Sequence, residues 1–173
     1  MIGRRKLVIE PAWCKGCGIC AAFCPKQVLE IRAILERARV LRLGLNAEEE
    51  PYVVPMHYGF TLEGGRLSFY THCAKEGRKL DLLRRDGRVF VEIDTDETLL
   101  PASSACAWGA AYACVMARGR ASVVEDAEEK AAALALLMKT QTGKDFAITP
   151  AMAAAVCVLR IDAQEFSAKA RKG

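Results

Sequence analysis

Four cysteines crowd into positions 14 to 24 as Cys14-Lys-Gly-Cys17-Gly-Ile-Cys20-Ala-Ala-Phe-Cys24-Pro25, the spacing C-x2-C-x2-C-x3-C-P. Intervals this short let successive thiolates converge on one face of a cubane iron-sulfur cluster. Gly16 and Gly18 permit the tight turns that aim backbone N–H groups at cluster sulfurs, and such bonds tune a reduction potential. The same residue types could instead build a zinc knuckle or be a remnant that holds no metal. No second motif of this spacing occurs in the sequence, so one cluster is the most the pattern supports. Cys14, Cys17 and Cys20 would hold three corners. The fourth is best supplied by Cys24, with a distant cysteine, another subunit or no protein ligand as the alternatives.

A second constellation lies in Phe69-Tyr-Thr-His-Cys-Ala-Lys-Glu-Gly-Arg-Lys79. A strand running into a helix here would gather Lys75, Arg78 and Lys79 at a helix start, the wrong end for cations on dipole grounds. The arrangement becomes favourable if an anion sits there, held by free N–H groups and by Arg78 and Lys79. A phosphate is the natural candidate, and a solvated basic turn is the ordinary alternative. His72 is of a residue type that titrates near neutral pH and could hold or donate a proton, although a lone histidine is more often a packing or surface residue. Cys106, Cys114 and Cys157 read most simply as small buried hydrophobes.

The elements that must position these residues follow from periodicity. Apolar Leu29, Ile31, Ile34, Leu35 and Ala38 predict a helix over Gln27 to Ala38. Strands are expected at Val40 to Leu45, Tyr52 to Phe60, Leu67 to Tyr70, Val89 to Ile93, Ala113 to Val124 with a break at Gly119, and Val156 to Ile161. Pro55 makes the second of these an edge or interrupted strand, because proline donates no ladder hydrogen bond. Gly64-Gly65 reads as a tight hairpin turn. Helices are expected from Ala74 to Arg84, from Asp126 with Glu129 completing a capping box, and briefly after Thr149-Pro150, before a basic tail at Lys169 to Lys172.

The whole chain, 173 residues with eight cysteines and a formal charge of +4, allows one well-buried domain plus a short appended module. Mixed charge gives no case for nucleic acid, and no apolar run approaches a bilayer span. Arg4, Arg5, Lys6 and Glu10 interrupt any secretory leader, so the expected location is cytoplasmic. There a reducing poise favours metal or redox roles for cysteine over structural disulfides.

The cysteine run resembles one half of a bacterial ferredoxin. From about Ile34 to Lys169 the chain resembles the nitroimidazole-reductase (Nim) branch of the pyridoxamine 5′-phosphate oxidase-like FMN split barrels. The stretches that carry this are Arg39-Val-Leu-Arg-Leu-Gly44, Pro51-Tyr-Val-Val-Pro-Met-His-Tyr58, Phe69 to Leu83, and Tyr112-Ala-Cys-Val-Met-Ala-Arg-Gly-Arg-Ala121, followed by Val124-Glu-Asp126 and Glu129-Lys130. The resemblance implies a mainly β fold: an antiparallel six-stranded FMN-binding split barrel with flanking helices over residues 31–173, preceded by a ferredoxin-like 4Fe-4S segment over 1–30. It implies that Val54, Pro55, Met56 and His57 line the flavin ring. Tyr70, Thr71, His72, Lys75, Arg78 and Lys79 would complete the cofactor site, the last two at the FMN phosphate. Trp108 and Tyr112 would reach the flavin of a partner subunit in a homodimer.

His72 matches the family's active-site histidine, but Cys73 follows it where serine is common. The implied activity is FMN-dependent reduction of a nitroaromatic (5-nitroimidazole-like) or other small-molecule electron acceptor, with a redox protein as electron donor and the cluster relaying electrons. Haem or F420 binding, with His72 or Cys73 as a haem ligand, and a non-enzymatic flavin electron carrier are the alternatives.

Overall fold

The computed structural model describes residues 25–47 and 50–171. Cys14, Cys17, Cys20 and Cys24 lie outside the described residues. The first helix, α1 (Pro25–Arg37), turns Ile31, Ile34 and Leu35 into the core, as their helical spacing predicts. Seven strands follow in one antiparallel sheet: β1 (Leu41–Asn46), β2 (Pro51–Met56), β3 (Gly59–Glu63), β4 (Arg66–Cys73), β5 (Arg88–Leu100), β6 (Gly109–Val123) and β7 (Cys157–Arg171). Their order is β2-β1-β5-β6-β7-β4-β3. Helix α2 (Arg78–Arg85) joins β4 to β5, while α3 (Ala127–Thr142) and the short α4 (Pro150–Ala153) join β6 to β7.

The sheet has seven strands rather than six because the run from Tyr52 to Phe60 divides at His57-Tyr58. Pro55 sits on β2, an edge strand, where its lost N–H leaves no ladder bond unmade. The other edge is β3, yet β2 and β3 are consecutive in the chain. Met56 and Gly59 are three residues apart, so this corner brings the two edges within about 11 Å of each other. The sheet must therefore curl into a barrel that stays open along its remaining seam. Inside it, Leu41, Leu43 and Leu45 of β1 alternate with outward residues, as do Val89, Val91 and Ile93 of β5 and Leu159 and Ile161 of β7.

Several strands outrun the expectation. β5 extends to Leu100 across an irregularity between Thr95 and Thr98, where Asp96 has φ 62°. Arg37 at the end of α1 holds that strained residue with a two-point contact, Nε at 3.1 Å and Nη2 at 2.5 Å from Oδ2. β7 runs on to Arg171, so the expected basic tail is a strand as far as that residue, with Lys169 opposite Cys114 and Arg171 opposite Tyr112. Its later residues are mostly exposed or half-buried on both faces, which removes the alternation that marks a strand in sequence. The hairpin at Gly64-Gly65 forms as expected, with both glycines at positive φ. Asp126 caps α3 by accepting from the Glu129 N–H at 2.8 Å, while the Glu129 carboxylate lies 3.5 Å from Arg160.

Helix α3 lies directly on β3. A Cβ at Gly59 would stand 2.6 Å from the Leu137 backbone nitrogen, closer than real atoms approach. Gly59→Ala is therefore expected to lower stability by about 1 to 3 kcal/mol, the cost of overpacking a tight contact, read as a lower urea midpoint at unchanged m-value.

Candidate functional site

The helix expected from Ala74 begins at Arg78, because Gly77 has φ 131° and ends the preceding turn. Gly77 caps α2 without a side chain, and its carbonyl accepts from the N–H groups of Leu80 at 2.9 Å and Asp81 at 3.2 Å. The first N–H groups of such a helix have no intrahelical acceptor. The amides of Arg78 and Lys79 are thus left at a helix start that no side chain caps, with their two basic side chains beside them. Asp81, the acidic residue of this turn, is paired with Arg84 at 3.0 Å.

β2 supplies the opposing wall. The Arg78 guanidinium lies 4.8 Å from the ring centre of Tyr52, and its Nη2 is 3.0 Å from Glu50 Oε1. Lys79 Nζ donates to Met56 Sδ at 3.4 Å. A thioether is a weak acceptor, so this half-buried ammonium is poised for a stronger one. His57 Nδ1 stands 3.1 Å from the Arg39 carbonyl. A carbonyl only accepts, so in this contact Nδ1 is the donor and Nε2 is the ring nitrogen left for another contact. Val54 turns toward the core and Pro55 outward, opposite Arg42. The structure thus brings Met56, Arg78 and Lys79 together, with Val54, Pro55 and His57 on the adjoining strand end.

On β4 the three expected residues divide between two faces. Thr71 is fully buried inside the barrel, and its Oγ1 has no hydrogen-bond partner among the described residues. Tyr70 packs on the opposite face against Val124, Ala133 and Val158 beneath α3, and burial pushes its pKa up. His72 emerges beyond it, exposed at the strand's end, and Lys75 is exposed in the turn that follows. Trp108, 51% exposed, and Tyr112 belong to the start of β6. By strand order β6 lies three strands from β2, about 14 Å across the sheet. The start of β6 also pairs with Thr98 to Leu100 of β5, beyond the Val89 to Glu92 rungs that β1 takes, so along the sheet these residues are set apart from the Met56 and Lys79 group.

Sequence reasoning missed Glu50 as the partner of Arg78. It also missed a groove of about 360 Å³ on the outer face of the sheet, lined by Tyr52, Val53, Phe90, Arg88 and Arg118. Gly44 makes its floor, being opposite both Val53 and Phe90 on neighbouring strands. The signal was present in Leu41-Arg-Leu-Gly-Leu45, where a glycine occupies an outward position between inward leucines. One cysteine also departs from expectation: Cys106 is exposed, being in a 3-10 turn at the surface, whereas Cys157 is buried and Cys114 partly so. No three His, Cys, Asp or Glu side chains among the described residues come together as a metal site. Nor is any described helix long and apolar enough to cross a membrane.

The barrel and its sequence match one family. The model of the pyridoxamine 5′-phosphate oxidase family covers residues 27–170, and the chain belongs to that family. A 4Fe-4S binding domain model matches residues 7–30. Among solved structures, the chain is similar to a Bacteroides thetaiotaomicron protein described as a 5-nitroimidazole antibiotic resistance protein, at 26% identity and TM-score 0.69 over 81% of each chain. It also shares its fold with the flavocytochrome Anf3 of Azotobacter vinelandii, at 23% identity and TM-score 0.67, over 87% of this chain and 69% of that one. The FAD and heme binding protein of Mycobacterium smegmatis matches at 18% identity and TM-score 0.69, over 84% of this chain and 71% of that one. No curated protein matches the sequence.

Thr71 offers a direct test of the site's interior. Thr71→Val removes a hydroxyl that is buried without a partner among the described residues, and is expected to raise the stability of the ligand-free protein by about 1 kcal/mol in urea denaturation.

Proposed function

We propose that this chain is an FMN-dependent oxidoreductase that reduces nitroaromatic or other small electron acceptors. The observation that carries the reading is the pairing of a positively charged helix start that lacks a side-chain cap with a half-buried ammonium whose described acceptor is a thioether. A phosphate monoester suits this helix start: the amides of Arg78 and Lys79 and both side chains would hold it, with Lys75 adding charge beside it. From there Met56 and the strand end from Val54 to His57 would line the flavin ring, and His57 Nε2 can accept a hydrogen bond from it. FMN, when bound, supplies a centre that takes electrons singly and delivers them in pairs. His72, exposed at the end of β4, would hold the acceptor or give it a proton. The similarity to a nitroimidazole resistance protein supports nitroaromatic acceptors as the substrate class.

The distance between β2 and the start of β6 supports a homodimer, in which Trp108 and Tyr112 of one copy close over the flavin of the other. The half-exposed Trp108 and the apolar outer positions Val53, Phe90 and Met116 suit such an interface. Residues 1–30 would form a 4Fe-4S module ahead of the barrel domain, with Cys14, Cys17, Cys20 and Cys24 as ligands, passing electrons from a redox-protein donor to the flavin in the cytoplasm.

The absorption spectrum of freshly purified protein together with an FMN titration tests this reading. Flavin absorption and saturable FMN binding are expected, and a haem spectrum instead would replace it. Arg78→Ala combined with Lys79→Ala should weaken FMN binding by about 2 to 5 kcal/mol, the sum for two charge-assisted contacts. Glu50→Gln, which frees Arg78 from an exposed ion pair, should tighten it, by about fivefold at most. For the module, anaerobic reconstitution should give about four irons per chain. Cys17→Ser should slow flavin reduction by a one-electron donor while leaving FMN affinity unchanged.

A further inference from the structure

Cys73 is the last residue of β4 and Cys157 the first of β7, and the register sets them directly opposite each other. Opposed residues on antiparallel strands hold their Cα atoms about 4.5 to 5.5 Å apart, inside the roughly 4.4 to 6.8 Å that a disulfide spans. Their Cβ atoms, about 4.5 to 5.5 Å apart in such a pair, need approach by only about an ångström to reach bonding geometry. This rung can make that move, because it is the final one of its ladder. Beyond Cys73 the chain leaves as the turn through Ala74 to Gly77, and before Cys157 it arrives from a turn after α4.

Both side chains also lie on one face of the sheet. Phe69, Thr71 and Cys73 alternate inward along β4, as Cys157, Leu159 and Ile161 do along β7. The two thiols close one end of the barrel interior, with Cys157 only 7% exposed and Cys73 the more open of the pair. Burial pushes the Cys73 thiol up and the adjacent Cys157 adds to this, while Lys79 pulls it down.

We propose that Cys73 and Cys157 form a reversible dithiol–disulfide pair that exchanges electrons with low-molecular-weight disulfides. Cys73, the more open of the two thiols, gives up its proton and attacks one sulfur of the small disulfide. That S–S bond breaks, the first small thiol leaves, and a mixed disulfide remains on Cys73. Cys157 then gives up its proton and attacks the Cys73 sulfur, displacing the second small thiol. Two protein thiols are oxidised and one small disulfide is reduced to two thiols, with both protons ending on the released thiols. The resulting bond staples β4 to β7 immediately before the turn that leads to α2. The pair rests on strand register alone and stands whether or not the chain binds flavin.

Oxidised glutathione is a suitable probe on the full-length protein, followed by alkylation of free thiols and peptide mapping. The parent should yield a Cys73–Cys157 linked peptide that dithiothreitol removes. Cys157→Ala should stop at glutathione on Cys73, and Cys73→Ala should cut modification of Cys157 at least tenfold. Exposed Cys106 serves as the internal control for probe reactivity. Modification of Cys106 while Cys73 and Cys157 stay free overturns the proposal. So does glutathione retained on Cys73 of the parent, or a link from Cys73 to any other cysteine. Circular dichroism identical to the parent's establishes that each variant is folded, and a variant that unfolds is replaced by Cys→Ser at the same position.

Discussion

Tyr58 holds the corner on which this barrel turns. It is fully buried, and its hydroxyl donates to the Leu35 carbonyl of α1 at 2.8 Å, which pins the corner to the helix that packs on β3, β5, β6 and β7. Its own carbonyl accepts from Gln141 Nε2 of α3 at 2.8 Å, and the next residue, Gly59, lets the α3 backbone come into contact. One dipeptide thus joins α1, the sheet and α3. Burial raises the Tyr58 pKa far above that of an ordinary phenol, so the hydroxyl stays a donor at any pH the protein meets. Because β2 must end here, Met56 is delivered to the wall that faces α2, and the remainder of the site follows from that placement.

Charge on the sheet's surface is largely arranged in pairs. Arg42 is bound by Glu92 and Asp94 on the neighbouring strand, and both raise its pKa. Asp86 accepts from Arg88 and Asn46, and these contacts hold its carboxyl well below the usual range. Exposed pairs of this kind add little to stability, but they neutralise one another and leave a quiet background. Against it the start of α2 stands out: Arg78 has an exposed acidic partner and Lys79 a thioether. An anion arriving there would meet positive charge that is positioned but weakly engaged.

The same stretch of chain would set the proposed redox pair and the proposed anion site close together. β4 ends in His72-Cys73, and four residues separate it from the start of α2 at Arg78. Alternation along the strand sends His72 outward and Cys73 inward, toward Cys157. A strand end is the one place where a side chain can combine fixed register with freedom to shift, and both residues are placed at it.

The sequence by itself determined the parts that depend on local chemistry. The cysteine spacing, the glycine hairpin, the Asp126 cap, the edge position of Pro55 and the alternating core of β1 and β5 all follow from neighbours a few residues apart, and all but the first lie within the described structure. The positive helix start was legible too, because dipole and charge conflict within one turn. What only the tertiary structure decided depends on which distant segments meet. The break at His57-Tyr58 arises from contacts to α1 and α3, 23 and 83 residues away, and no local signal distinguishes it from a continuous strand. The ends of β5 and β7 were hidden because their exposed faces carry no hydrophobic period. The opposition of Cys73 and Cys157 is a matter of register between strands, and register is set by the packing of the whole barrel rather than by either residue.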